Sequence, residues 1–393
     1  MKRLLALLAA LGILGGLCAC GGGSAEEEGP PVLRIGVFEP LSGADAAHGE
    51  AELLGIRCAQ REAPKVQAGG KSYTVELVVQ DNGGSAATAP EAAQNLVDAG
   101  VSAVIGSYGD AVAKAGGKVF GANGIAVIGA TCSAPELTEG NDYFFRVCST
   151  AEVQAEALAR YAYGSLEAAK AYCVGRENNE SSARQVSAFR SVFTQLGGEA
   201  SVEMLAEPPD LIACLLRADS EKAKVIFAPL PADYVRQLLS LSRSLEISIP
   251  IVGTDILDDD SLLERPPNVE EGDAPLRVYV SAFYVTGASS RFDAALRSYA
   301  GYDPKAEEPG PDPVSSAAAL GYDAYMLALS AISAAGSADH ADILAVMPGV
   351  AYAGVTGRMR FAENGNALRE SIYIKRADYV NGRWRQEKSA AAS

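Results

Sequence analysis

The sequence predicts an α/β protein of two doubly wound, Rossmann-like lobes. Three observations carry this. Strand and helix signals alternate along most of the chain, which calls for parallel sheets covered by helices. The alternation runs to about residue 148 and then restarts, giving a second series of similar size. The strand-like runs, such as 101–105 and 125–128, are short and β-branched, as strands buried on both faces are. At 393 residues, with 48% apolar and 21% charged residues, the chain has material for two full cores.

Residues 33–38 read as a first strand and 39–47 as a Pro/Gly/Ser-containing loop. A helix over 48–62 follows, with Leu53, Leu54 and Ile56 on its apolar side. Residues 74–80 alternate as a strand ending at Asp81, and 86–99 form a helix stopped by Gly100. Strands 101–105 and 125–128 each end in small polar residues, 107–110 and 131–133. Open parallel sheets bind ligands outside the carboxyl ends of their strands, where helix N-termini offer unpaired N–H groups. The stretch 101–138 is therefore expected to form half of a small-molecule cradle. A strand over 143–148 closes the first series.

The second series reads helix 152–162, strand 171–174, helix 182–196 closed by Gly197 and Gly198, and strand 202–205. Helix 211–217, strand 225–228, helix 233–245 and strand 249–252 complete it. Residues 277–284 form a strand suited to crossing back to the first lobe, 304–313 a surface loop, and 315–335 and 341–347 helices. The end of the chain holds strands 358–361, 371–376 and 384–387, with Asn381-Gly382 as a tight turn before the last.

The first 20 residues stand apart from the fold. Lys2 and Arg3 precede an apolar run over 4–17, of signal-peptide length and too short for an ordinary spanning helix. The run ends Leu17-Cys18-Ala19-Cys20, which resembles a bacterial lipobox with Cys20 as the acylated residue. Residues 21–31, GGGSAEEEGPP, read as a flexible tether. The expectation is an extracytoplasmic protein held by an N-terminal lipid on the outer face of a bacterial cell membrane, or periplasmic in a cell with an outer membrane.

A net charge of −16 argues against nucleic acid as a partner. Cys58, Cys132, Cys148, Cys173 and Cys214 are odd in number, widely spread and without a C-x-x-C, so they suggest neither a disulfide framework nor a zinc site. Most sit in apolar runs as small hydrophobes; Cys132 falls in the second cradle loop. With only two histidines, no nucleophile elbow, no P-loop in register and no metal-ligand spacing, neither enzyme chemistry nor a cofactor is expected.

The motifs IGVFEPLSG with Gly49, QDNGGS, VSAVIGSYGD, SAPELTEGNDYFFR, IPIVGTD, GYDAYMLALSAI and YAGVTGRMRFAENGN resemble, in this order, the solute-binding proteins of branched-chain amino-acid ABC importers, the Leu/Ile/Val-binding type. The resemblance covers about 32–388. It implies the type I periplasmic binding protein fold, with two lobes joined by three hinge crossings near Thr150, Val280 and Val355. Lobe one would be 32–149 with 281–355, and lobe two 150–280 with 356–388, leaving 389–393 as a tail. It further implies an amino acid or similar small polar solute as ligand, hinge closure upon it, and docking on ABC permease subunits. A ligand sensor of the same fold is the alternative.

Carried over position by position, the resemblance places Asp110 where relatives use a small hydroxyl residue to hold the solute's carboxylate. An Asp there repels a carboxylate, which makes an amide, amine or nucleoside an option; it is equally a good helix N-cap. Ser107 and Tyr108 share that loop, and Ser107 is a substitute hydroxyl donor. Ser133 takes the hydroxyl position of the second loop, with Thr131 or Cys132 supplying a carbonyl; Ser133 to Glu136 also fits a capping box. Asp255 matches the acidic residue that receives the solute's ammonium. His48, Glu180 and Leu230 fall where relatives often carry aromatic walls.

Overall fold

The computed structural model describes residues 30–264, 277–308, 310–379 and 381–391. The chain opens with β1 (Val32–Glu39), α1 (Ala46–Glu62), β2 (Lys65–Ala68), β3 (Lys71–Asp81) and α2 (Ala89–Asp98). It continues with β4 (Ala103–Gly106), α3 (Asp110–Ala122), β5 (Val127–Gly129) and β6 (Phe144–Arg146). The second series holds α4 (Ala151–Gly164), β7 (Lys170–Arg176), α5 (Glu180–Gln195), β8 (Glu199–Leu205) and α6 (Leu211–Ser220). Then come β9 (Val225–Phe227), α7 (Ala232–Ser244), β10 (Ile251–Gly253) and β11 (Val278–Ala282). The last part is α8 (Ser290–Ala300), α9 (Ser316–Ala335), α10 (His340–Val346), β12 (Ala351–Gly354), β13 (Gly357–Phe361), β14 (Ala367–Arg369), β15 (Ser371–Asp378) and β16 (Arg383–Ala391).

Local chemistry explains the helix ends. Asn179, Asp210, Ser289 and Ser315 each accept an N–H from the first turn that follows, and Gly301 and Gly336 close α8 and α9 in the left-handed conformation. The strands form two main sheets. One has the order β2-β3-β1-β4-β5-β6, parallel except for β2 against β3. The other has the order β16-β15-β11-β10-β9-β7-β8, parallel from β8 to β11 and antiparallel beyond. Helices cover both faces of each sheet. Among the described residues the core divides into four clusters, two on the faces of each sheet, and none mixes strands of the two sheets. This is the α/β architecture of two doubly wound lobes that the sequence predicts.

The chain passes between the sheets after β6, after β11 and after β14. The first passage, 147–150, lies at the expected Thr150. The second follows β11, so Val280 is inside the strand and Phe283 already packs in the lobe-one core. The third is not at Val355 but at Glu370, between β14 and β15. Met359, Phe361 and Ala367 alternate inward onto the lobe-one core, so β12–β14 stay with lobe one; Ile374 belongs to lobe two. Val355 sits instead in a turn whose N–H groups, with that of Thr356, donate to the buried Asp323 carboxylate at 2.9 Å. β16 runs into the segment expected as a tail, and residues 1–29, with Cys20, the expected signal and all but the last two residues of the expected tether, lie outside the described residues. α9 is long and apolar enough to cross a membrane by length and composition, but it is mostly buried, packed against α1.

Candidate functional site

In each main sheet the strand order reverses direction beside the first strand of its series, β1 in one and β7 in the other, which is where such sheets open a crevice. The two crevices face each other across a cavity of about 210 Å³. Lobe one contributes His48, Tyr108, Asp110, Thr131, Ser133, Ser316 and Leu320, and the second passage contributes Phe283. Lobe two contributes Ser181, Gln185 and the run from Thr254 to Asp259 that follows β10, of which Leu257 points into the core.

Six of the ten residues singled out from the sequence therefore meet: His48, Tyr108, Asp110, Thr131, Ser133 and Asp255. His48, in the first turn of α1, stacks on Tyr108 with ring centroids 4.4 Å apart and planes 6° from parallel. Asp110 is not the cap of α3; Gly109 is. Its carboxylate instead reaches the second loop and accepts the Ala134 N–H at 3.2 Å. Burial pushes the Asp110 carboxyl up, against the pull of that N–H and of Arg146. The capping box at Ser133 does not form, because Glu136 turns to Arg184 of α5 at 2.6 Å.

The other four do not line the cavity. Ser107 is fully buried; its hydroxyl accepts from Asn82 at 2.8 Å and donates to the Tyr108 carbonyl at 2.7 Å. Cys132 is buried like the other four described cysteines, and its carbonyl is taken by Arg146 at 3.0 Å and by the Cys148 thiol at 3.2 Å. Glu180 is exposed on the first turn of α5 and pairs with Arg184 one turn on, leaving Ser181 to face the cavity. Leu230 packs in the lobe-two core.

Both cradle loops stand on a carboxyl pair that the motifs did not reveal. Glu39 ends β1 and Glu52 lies in α1; both are fully buried, and Glu39 Oε1 and Glu52 Oε2 have no hydrogen-bond partner among the described residues. Glu39 Oε2 accepts the Tyr108 N–H at 2.8 Å, and Glu52 Oε1 accepts the Thr131 hydroxyl. Burial raises both carboxyls, Glu39 well above the usual range and Glu52 to about 7, and the charge of Glu52 pushes Glu39 the same way. The available signal was a Glu on the apolar stripe of α1 beside Leu53 and Ile56.

Asp255 is the focus of lobe two. Its N–H donates to Gln154 Oε1 at 3.0 Å, and the same oxygen accepts the Ser281 hydroxyl of β11 at 2.6 Å. Gln154, fully buried on α4, thus ties the Asp255 loop to the strand beside the second passage. Burial raises the Asp255 carboxyl to about 7, with nearby Asp110 and Asp258 pushing the same way. Asp258 is neutralised by Lys375 Nζ at 2.8 Å and accepts the Ser316 hydroxyl across the cleft at 2.6 Å. Asp258 and Lys375 are 117 residues apart, so no local pattern could pair them. Among the described residues no cluster has the ligands for a metal ion.

A family model described as periplasmic binding protein matches residues 32–383. The chain belongs to the periplasmic binding protein family. This periplasmic binding protein is 28% identical over 199 residues to a Leu/Ile/Val-binding protein of Rhizobium johnstonii, and 28% identical over 200 residues to a Leu/Ile/Val-binding protein homolog of Brucella melitensis. Each match covers 50% of this chain and 53% of the relative, so the likeness spans about half the length of these curated relatives. The crystal structure of a leucine binding protein from Thermotoga maritima matches with a TM-score of 0.76 at 26% identity, over 92% of this chain and 99% of that one. A branched-chain amino acid transporter substrate binding protein of Streptococcus pneumoniae, in complex with isoleucine, matches at 0.74 and 23% identity over the same shares, and shows the common fold.

Proposed function

We propose that this protein is the extracytoplasmic solute-binding component of an ABC importer, capturing an amino acid or a similar small polar solute between two closing lobes. The observation that carries the reading is Asp255: a carboxylate lining a cavity built from both sheets, with no cation against it among the described residues. An ammonium placed there replaces the hydration that burial removes, and the solute's other end lies against the His48–Tyr108 stack and Asp110 of the opposite lobe. A solute that touches both lobes favours the closed form over the open one, and that difference is what a permease would recognise. Cys20 serves as the lipid anchor, holding the protein near its permease on the outer face of the membrane.

A thermal-shift screen of amino acids, amides, amines and aromatic acids tests this. The expected result is a rise in melting temperature with one narrow class of solute, by mass action, abolished by Asp255→Asn. A screen in which no solute raises it, or in which the bound solute is turned over, contradicts the reading.

A further inference from the structure

We propose that the solute is a cation without a carboxylate: an ammonium head at Asp255, and at the lobe-one end a group that donates hydrogen bonds to Asp110, as in an amino alcohol, an amino-amide or a diamine. The inference rests on the solute-binding reading above and narrows it.

Four donors of the lobe-one loops are already engaged within the protein, three of them by its own carboxylates. A solute carboxylate at the strand tips needs N–H and hydroxyl donors. The Ala134 N–H is held by Asp110 at 3.2 Å, and the Tyr108 N–H by Glu39 at 2.8 Å. The Thr131 hydroxyl is directed to Glu52, and that of Ser107 to the Tyr108 carbonyl. Asp110 thus sits as a built-in carboxylate among the donors, in the wall of the cavity. What it presents to a solute is acceptor oxygen, and the matching partner is a donor.

The charge of the lining points the same way. Asp110, Asp255, Asp258 and Asp259 all line the cavity, and among the described residues no Lys or Arg does. Arg146 and Lys375 stand behind the wall beside its carboxylates. The Arg146 guanidinium is fully buried and donates to the carbonyls of Cys132 and Ala134 at 3.0 and 2.7 Å. Lys375 is held by both oxygens of Asp258. These offset Asp110 and Asp258. Among the described residues no cation pairs with Asp255 or Asp259, and Asp259 accepts the Ser261 N–H at 2.7 Å. A zwitterion adds no net charge and brings its own carboxylate against Asp110. A carboxylate-free cation supplies the missing charge.

Leucine and leucinol share a side chain and an ammonium and differ at the carboxylate, which makes them the decisive pair. Isothermal titration of the mature chain at pH 7.5 with leucine, leucinol and putrescine is the experiment. The expected result is that leucinol or putrescine binds at least tenfold more tightly than leucine, about 1.4 kcal/mol, and that Asp110→Ser narrows the gap. Leucine bound as tightly as both carboxylate-free probes overturns the inference and leaves solute binding standing. No heat from the two cations also overturns it; if, in addition, no solute of the wider thermal-shift screen binds, the solute-binding reading falls with it.

Discussion

Glu52 and Asp255 are both carboxyls whose burial raises them to about 7. Their unfolded values lie near 4, so between about pH 4 and 7 the folded chain holds protons that the unfolded chain has lost. Stability therefore falls as pH rises through that window, and these groups contribute no further slope above it. We expect the melting temperature of the solute-free protein to drop from pH 5 to pH 8. Glu52→Gln and Asp255→Asn should each flatten that drop, by at most on the order of 3 kcal/mol. Calorimetry of the three proteins at both pH values checks this; variants with the wild-type slope would show that neither carboxyl titrates differently on folding. Residue identity was legible at Asp255, which stands next to a strand end in the sequence. It was misleading at Ser107 and Cys132, because side chains in a strand-end loop can turn toward the cavity or into the layer behind it.

At the scale of elements, the α1–α9 seam positions one wall of the site. His48 and Glu52 come from α1, and Ser316 and Leu320 from α9. The two helices approach so closely that a Cβ on Gly55 would lie 1.8 Å from the Ala318 carbonyl oxygen, and one on Gly321 would lie 2.3 Å from that of Glu52. Overpacking of this kind costs about 1–3 kcal/mol, and a clash with backbone belongs at the upper end. Gly55→Ala should accordingly lower stability by that amount in denaturant unfolding. Gly164→Ala, with nothing within 4 Å of the new Cβ, should stay within about 0.5 kcal/mol of wild type. Equal effects of the two substitutions would rule out seam packing as the cause. The helices and parallel strands of both series were visible in the apolar pattern. The four-residue β2 and β12 and the three-residue β14 were not, because elements so short carry too few positions to show a period.

For the whole molecule, the relevant quantity is the balance between open and closed forms. Among the described residues two side-chain to side-chain contacts span the cleft: Asp258 to Ser316, and Glu136 to Arg184. Arg184 also holds Glu152 at 3.0 Å and Glu180 at 2.8 Å, so three carboxylates converge on one guanidinium. Its side chain is 29% exposed and that of Glu136 36%, so solvent screens the cross-cleft pair to about 0.5–1 kcal/mol. Glu136→Gln should weaken solute affinity about two- to fivefold by reducing the closed population, and the difference should fade near 1 M salt. Titration at low and high salt, with small-angle scattering to follow compaction, checks it. An unchanged affinity at low salt would show that the pair does not favour closure.

The sequence by itself determined the strand–helix alternation, its restart near residue 150, and the small polar residues at the tips of β4 and β5. These are local properties, written in the spacing of apolar side chains and in turn chemistry. Only the tertiary structure decided which tip residues face the cleft, that the third passage lies at Glu370, and that Glu39 and Glu52 are buried beneath both loops. Those outcomes depend on contacts between residues distant along the chain, such as Thr131 with Glu52 and Asp258 with Lys375, and burial and facing are properties of the packed whole.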